Sequence, residues 1–163
     1  MTMANNSGSP YVYVNALACR GISHLVSGRF EAAADDLEKA LSFARWRKAG
    51  LESEARILAD LANAYRLKND LFRAEGTAAE AIEVASARAA RVPECLARIV
   101  RAEVLLQAGD GDRAKTELRN VRALIDETGA RIYEPLAHDL AARVERGSGG
   151  VRKPEQKRAG SEQ

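Results

Sequence analysis

Aromatic residues make up only 5% of this 163-residue chain, and histidine and cysteine occur twice each. Cys19 and Cys95 have neither the spacing of a metal site nor the number for a disulfide framework, so both are expected as buried, reduced thiols. The two histidines leave little material for acid–base work. His24 falls at a large apolar position and is expected in or near the core, and His138 and Asp139 are neighbours on a helix that point apart. Asp35 and Asp36 are adjacent rather than facing, which suits paired carboxylate chemistry poorly. No Gly-x-Ser-x-Gly, P-loop or His-Glu-x-x-His occurs. Gly109-Asp110-Gly111-Asp112 lacks the ligand pattern and late glutamate of an EF-hand and reads as a helix turn. No catalytic residue, metal or cofactor is expected. No run of about 18 apolar residues marks a membrane span. No basic stretch followed by an apolar core opens the chain, so a cytoplasmic setting is expected.

Net charge is only +2, and it is unevenly placed. Four of the 25 basic residues (Arg152, Lys153, Lys157, Arg158) and two of the 23 acidic ones (Glu155, Glu162) lie in 147–163, so the rest of the chain balances. A neutral body argues against a duplex nucleic-acid binder, whose affinity comes from neutralising phosphates. Arg88, Arg91, Arg98 and Arg101 are interleaved with Glu83, Glu94 and Glu103 and have no aromatic companions for base stacking. They read as a mixed, solvated face.

Apolar residues make up 46% of the chain, and much of that share is alanine, which lets helices approach closely. A pattern beginning at Gly28, with Phe30, Ala33, Leu37 and Ala40 at helical spacing, returns twice. The second copy is Asn69, Leu71, Ala74, Ala78 and Ala81. The third is Gly109, Gly111, Ala114, Leu118 and Val121. The period of 40–41 residues predicts a stack of helix–turn–helix units.

Residues 1–9 are expected to be disordered. Ser9-Pro10 suits a helix start, so the strand-like run Tyr11–Val14 is read as helix, since no partner strand exists. The first helix is expected to run to about Ser27 and the second from Phe30 to Lys48, before Gly50. A third follows over about Glu52–Lys68 and a fourth over Leu71–Ala90. In the latter, Gly76 suggests a close helix contact. Pro93 is expected at a first helical position, in a fifth helix to Ala108. Asp112 is expected to cap a sixth that Gly129 ends near Thr128. A last helix over about Ile132–Arg146, with Leu136, Leu140 and Val144 as its apolar stripe, would close the stack. The repeat domain thus spans 10–146, and 147–163 reads as a disordered basic tail.

These units resemble the tetratricopeptide repeat (TPR). The first gives Gly21, His24, Gly28, Phe30, Ala33, Leu37 and Ala40. The second gives Ala62, Tyr65, Asn69, Leu71, Ala74, Ala78 and Ala81, and the third Ala102, Leu105, Gly109, Gly111, Ala114, Leu118 and Val121. The units are longer than the 34 residues usual for the family, as in repeats attached to bacterial regulatory proteins. The resemblance implies an all-α, right-handed superhelix of three hairpins plus a C-terminal capping helix. It also implies a non-catalytic protein–protein interaction or regulatory scaffold module. The first helix of each unit would line a concave groove holding a peptide or partner helix, formed by Asn15, Cys19, Ile22, Arg56, Ala59, Asn63, Arg66, Leu96, Ile99 and Glu103. Ala18 and Ile22 stand where a carboxylate clamp would need lysine and asparagine, so a chaperone-tail receptor is not expected. Arg56, Asn63 and Arg66 are expected either to meet an acidic or polar segment or to be solvated surface residues. Two alternatives are a peptide or small-ligand sensor of a bacterial regulator and a homodimerisation module.

Overall fold

The computed structural model describes residues 9–148. Most of both segments expected to be disordered, 1–9 and 147–163, lies outside the described residues. Seven α-helices run in order: α1 (Pro10–Val26), α2 (Phe30–Arg47), α3 (Glu54–Leu67), α4 (Leu71–Ala87), α5 (Arg91–Gln107), α6 (Gly111–Thr128) and α7 (Glu134–Ser148). Short 3-10 turns at Leu51–Ser53 and Arg131–Tyr133 precede α3 and α7. No strand occurs among the described residues, and Tyr11–Val14 is helical. Helices α1/α2, α3/α4 and α5/α6 pack as hairpins, and α3 also touches α5 across the units. This is the expected all-α, right-handed superhelix of three hairpins closed by a last helix.

The repeats are copies down to their turns. Gly28, Asn69 and Gly109 all take left-handed backbone, with φ of 71°, 63° and 85°. The next residue donates its amide five residues back in each case: Arg29 to the His24 carbonyl at 2.9 Å, Asp70 to Tyr65 at 2.9 Å, and Asp110 to Leu105 at 2.8 Å. That is the glycine-type helix ending, filled once by asparagine, which tolerates the left-handed region. Phe30, Leu71 and Gly111 each open the second helix of a unit and are half-buried. A second left-handed series, Lys48, Ala89 and Gly129, ends those helices at the same period.

Alanine sets the spacing within each hairpin. Ala33, Ala40, Ala44, Ala74, Ala78, Ala81, Ala85 and Ala114 are fully buried. Gly21 goes further, since a Cβ built on it would lie 2.7 Å from Leu37 Cγ. Helix α5 joins the two halves of the core. Its Ala97, Val100 and Val104 pack with the first two units, and its Cys95, Ile99, Ala102 and Leu105 pack with α6 and α7.

Buried carboxylates tie helices together, and Glu54 ties one unit to the next. Glu54 accepts from Arg45 of α2 at 2.7 Å and from Arg88 at the end of α4. Glu94, 40 residues on, accepts from Arg91 at 3.1 Å and Arg98 at 2.8 Å, and Arg98 and Arg101 also hold Glu117. Arg101 further approaches Glu75. The arginines expected as a solvated face are therefore bound between helices. Within the first hairpin Asp36 accepts from Arg20 at 2.5 Å, with half-buried His24 3.6 Å away.

Other expectations are corrected locally. Gly76 marks no close contact, since nothing lies within 4 Å of where its Cβ would be. Asp110 rather than Asp112 caps α6, accepting from the Arg113 amide, because Gly111 already starts the helix. Helix α4 ends at Ala87, and Pro93 is the third residue of α5 rather than its first. Leu136 is exposed. The buried stripe of the last segment is Tyr133, Ala137, Leu140 and Val144.

Gly21→Ala should destabilise by about 1–2 kcal/mol, since overpacking against Leu37 outweighs the gain in helix propensity. Gly76→Ala should stabilise by about 1 kcal/mol. Urea unfolding of both checks the opposite signs. Acid should weaken the same packing. Hydrogen bonding from Arg20 holds Asp36 below the usual carboxylate range, and the arginines on Glu54 and Glu94 outweigh burial and do the same there. These groups bind fewer protons folded than unfolded, so their contribution is complete above about pH 5 and is lost as pH falls through the depressed values. Glu54→Gln and Glu94→Gln should each cost about 1–2 kcal/mol at pH 7 and flatten the acid limb of the stability–pH curve.

Candidate binding groove

The first helices of the units, with α7, present one common face. Arg66 of α3 holds Glu103 of α5 at 2.9 Å, and Arg143 of α7 reaches the same carboxylate at 3.4 Å. The stripes through these contacts follow helical spacing: Arg56, Asp60, Asn63 and Leu67 on α3, and Val92, Leu96, Ile99 and Glu103 on α5. On α7, Leu136 lies two turns before Arg143, and Ile132 stands in the 3-10 turn that precedes the helix. On α1, Tyr13 and Arg20 reach toward α2, through Phe43 and Asp36. The opposite flank carries Val12, Asn15, Cys19, Ile22 and Val26.

The expected groove residues divide into surface and floor. Asn15, Ile22, Asn63, Arg66, Leu96 and Glu103 are half-buried, while Cys19 and Arg56 are exposed. Ala59 and Ile99 are 0% and 4% exposed, so they form packing beneath the groove and not its lining. The expectation of two buried thiols holds for Cys95 and fails for Cys19, which is turned outward.

The polar centre is largely self-paired. Asn63 Oδ1 accepts from Arg66 Nη2 at 2.7 Å and Nε at 3.1 Å, which turns its amide N–H groups away from Arg66. Arg56 donates Nε to Asp60 at 2.8 Å. Burial pushes the Asp60 carboxyl above its ordinary range, with Arg56 pulling back, and burial likewise raises the Tyr133 hydroxyl, which lies in the field of both. Arg66 is thus committed to Glu103 and Asn63, whereas Arg56 and the Asn63 amide nitrogen keep free donors. Asp60, Tyr133 and Arg143 escaped the sequence reading. The polar residues offered no apolar-stripe signal, and Tyr133 precedes its helix in a turn. Among the described residues no group of three or more His, Cys, Asp and Glu side chains could hold a metal, and no helix is long and apolar enough to cross a membrane.

The thiols provide a check on this placement. Burial pushes the Cys95 thiol up to about 11, and its neighbour Glu94 adds to the shift. One thiol, Cys19, should therefore react rapidly with a disulfide reagent in the native protein, and the second only after unfolding. Two fast thiols would displace α5 from its described position.

No protein-family model matches the sequence, and no curated protein matches it. Among solved structures, a TPR-like protein from Chlorobium tepidum is similar over 84% of this chain and 95% of its own, at 19% identity and a TM-score of 0.69. At that identity the likeness speaks for architecture, and it agrees with the repeated turns and alanine positions. The fold of this chain is that of a TPR-like helical repeat protein.

Proposed function

We propose that this chain is a non-catalytic interaction module that holds a short amphipathic segment or partner helix in the groove formed by α1, α3, α5 and α7. One observation carries the reading. Of the ten large apolar side chains exposed on the described residues, five (Val12, Val26, Leu67, Val92, Leu136) fall on the groove stripes by helical spacing. Exposed apolar surface gathered on one face favours a partner rather than chance. Between these contacts, Arg56 and the Asn63 amide offer donors to carbonyl or carboxylate oxygens of the bound segment. The ion pairs that join α3, α5 and α7 support a pre-formed groove over those helices, which lowers the ordering cost of binding. A cytoplasmic scaffold within a regulatory system fits the long repeat.

The test is selection of a peptide ligand from a displayed library, followed by affinity measurement on variants. The double variant Ile22→Glu, Leu136→Glu should bind at least about tenfold more weakly. Phe72→Glu, on the exposed face of α4, should leave affinity within about twofold. Loss of binding in Phe72→Glu with retention in the groove variant would refute the proposal.

A further inference from the structure

A second surface lies on α2, away from the groove, and packing does not account for it. Three of the chain's eight aromatic side chains meet there. The Tyr13 and Phe43 rings are 4.7 Å apart and those of Phe43 and Trp46 5.7 Å apart, both edge-on. Tyr13 and Phe43 join α1 to α2. Trp46 is 71% exposed, so its indole adds little to that join. The rings border an open trough of about 510 Å³, together with Lys39, Asp35 and Glu38.

The cation at Trp46 itself is Arg47, beside a trough lined by Lys39, Asp35 and Glu38. The Arg47 guanidinium sits 5.1 Å from the centre of the indole ring and has no carboxylate partner among the described residues. A guanidinium held over an aromatic face keeps its N–H edge free, and that edge matches a carboxylate. Lys39 lies about two turns before Trp46 on the same flank and forms no ion pair among the described residues, although it feels the field of Asp36. Of the two acids at the trough, Glu38 is taken by Arg73 at 2.7 Å and by the Tyr65 hydroxyl. Asp35 stands one turn before Lys39 at the far end of the trough, about 16 Å from Trp46 along the helix at 1.5 Å per residue. Tryptophan, tyrosine and arginine together are also the residues that most often dominate binding energy at protein interfaces.

We propose that this patch, centred on Trp46 with Arg47 and Lys39, is a second docking surface whose partner is an acidic protein segment carrying apolar side chains. The carboxylates meet Arg47 and Lys39, and an apolar side chain enters the trough against Tyr13, Phe43 and Trp46. The surface acts independently of the groove, so the chain can bridge two partners.

Trp46 is the only tryptophan in the chain, so its emission reads this site directly. The probe is a blocked 12-residue peptide repeating Glu-Glu-Leu, titrated into the full chain beside its Lys-Lys-Leu counterpart and a dT12 oligonucleotide. The Glu-Glu-Leu peptide should shift Trp46 emission to the blue with saturation, and added salt should weaken it. Arg47→Glu with Lys39→Glu should reduce its affinity at least tenfold, while Ile22→Glu with Leu136→Glu leaves it unchanged. The proposal is overturned by no emission change, by an equal response to the Lys-Lys-Leu peptide, or by binding lost in the groove variant and kept in the Arg47 variant. A saturable shift with dT12 and none with the acidic peptide would overturn it in favour of a nucleic-acid surface.

Discussion

The architecture depends on how closely the two helices of each hairpin can approach. A methyl group or less stands at the crossing points: Gly21 against Leu37, and the buried alanines of α2, α4 and α6. Close crossing brings backbone and side chains into dense contact, and the dispersion gained there replaces what larger residues would otherwise supply. The cost of this solution is thinness. A hairpin cored by alanine buries little apolar surface by itself, so each unit needs the next. Helix α5 shows the dependence, because its two faces serve different halves of the core.

Charge then fixes how the units are stepped. Glu54 and Glu94 occupy the same place at the start of successive units, and each is held by arginines from its own unit or a neighbouring one. Glu134 stands in the same register at the start of α7 and is exposed, as suits the end of a stack. On the concave side, Glu103 draws Arg66 and Arg143 onto one carboxylate and so ties α3, α5 and α7 together. Partly buried pairs of this kind contribute more to fixing geometry than to net stability. Under the proposed function, walls set in advance let a segment bind without rearranging the groove.

Much of this was legible in the residues. Gly28, Asn69 and Gly109 announced the turns because left-handed backbone favours glycine and asparagine, and the alanines between them announced the crossing faces. The end of α2 fell within a residue of where it was expected, but the end of α4 at Ala87 was not legible, because left-handed geometry is imposed on Ala89, a residue that does not favour it. Groove positions could be assigned by register, yet register alone could not separate lining from floor. Ala59 and Ile99 sit on the right stripe but lie beneath neighbouring side chains. Nor could it show that Arg66 is consumed by Glu103, a pairing across 37 positions of sequence. Trp46 lies off the apolar stripe of α2, which is the one signal that could have marked it, and its meaning depends on Tyr13 arriving from α1.

The central claim is that alanine-cored hairpins are held by their neighbours rather than by themselves. Native-state hydrogen exchange, resolved by residue, tests it most directly. The account predicts the slowest amides in α3, α4 and α5, which are packed on both sides, with protection falling toward α1 and α7. Slowest exchange in α1 and α2, with the central helices opening first, would contradict it.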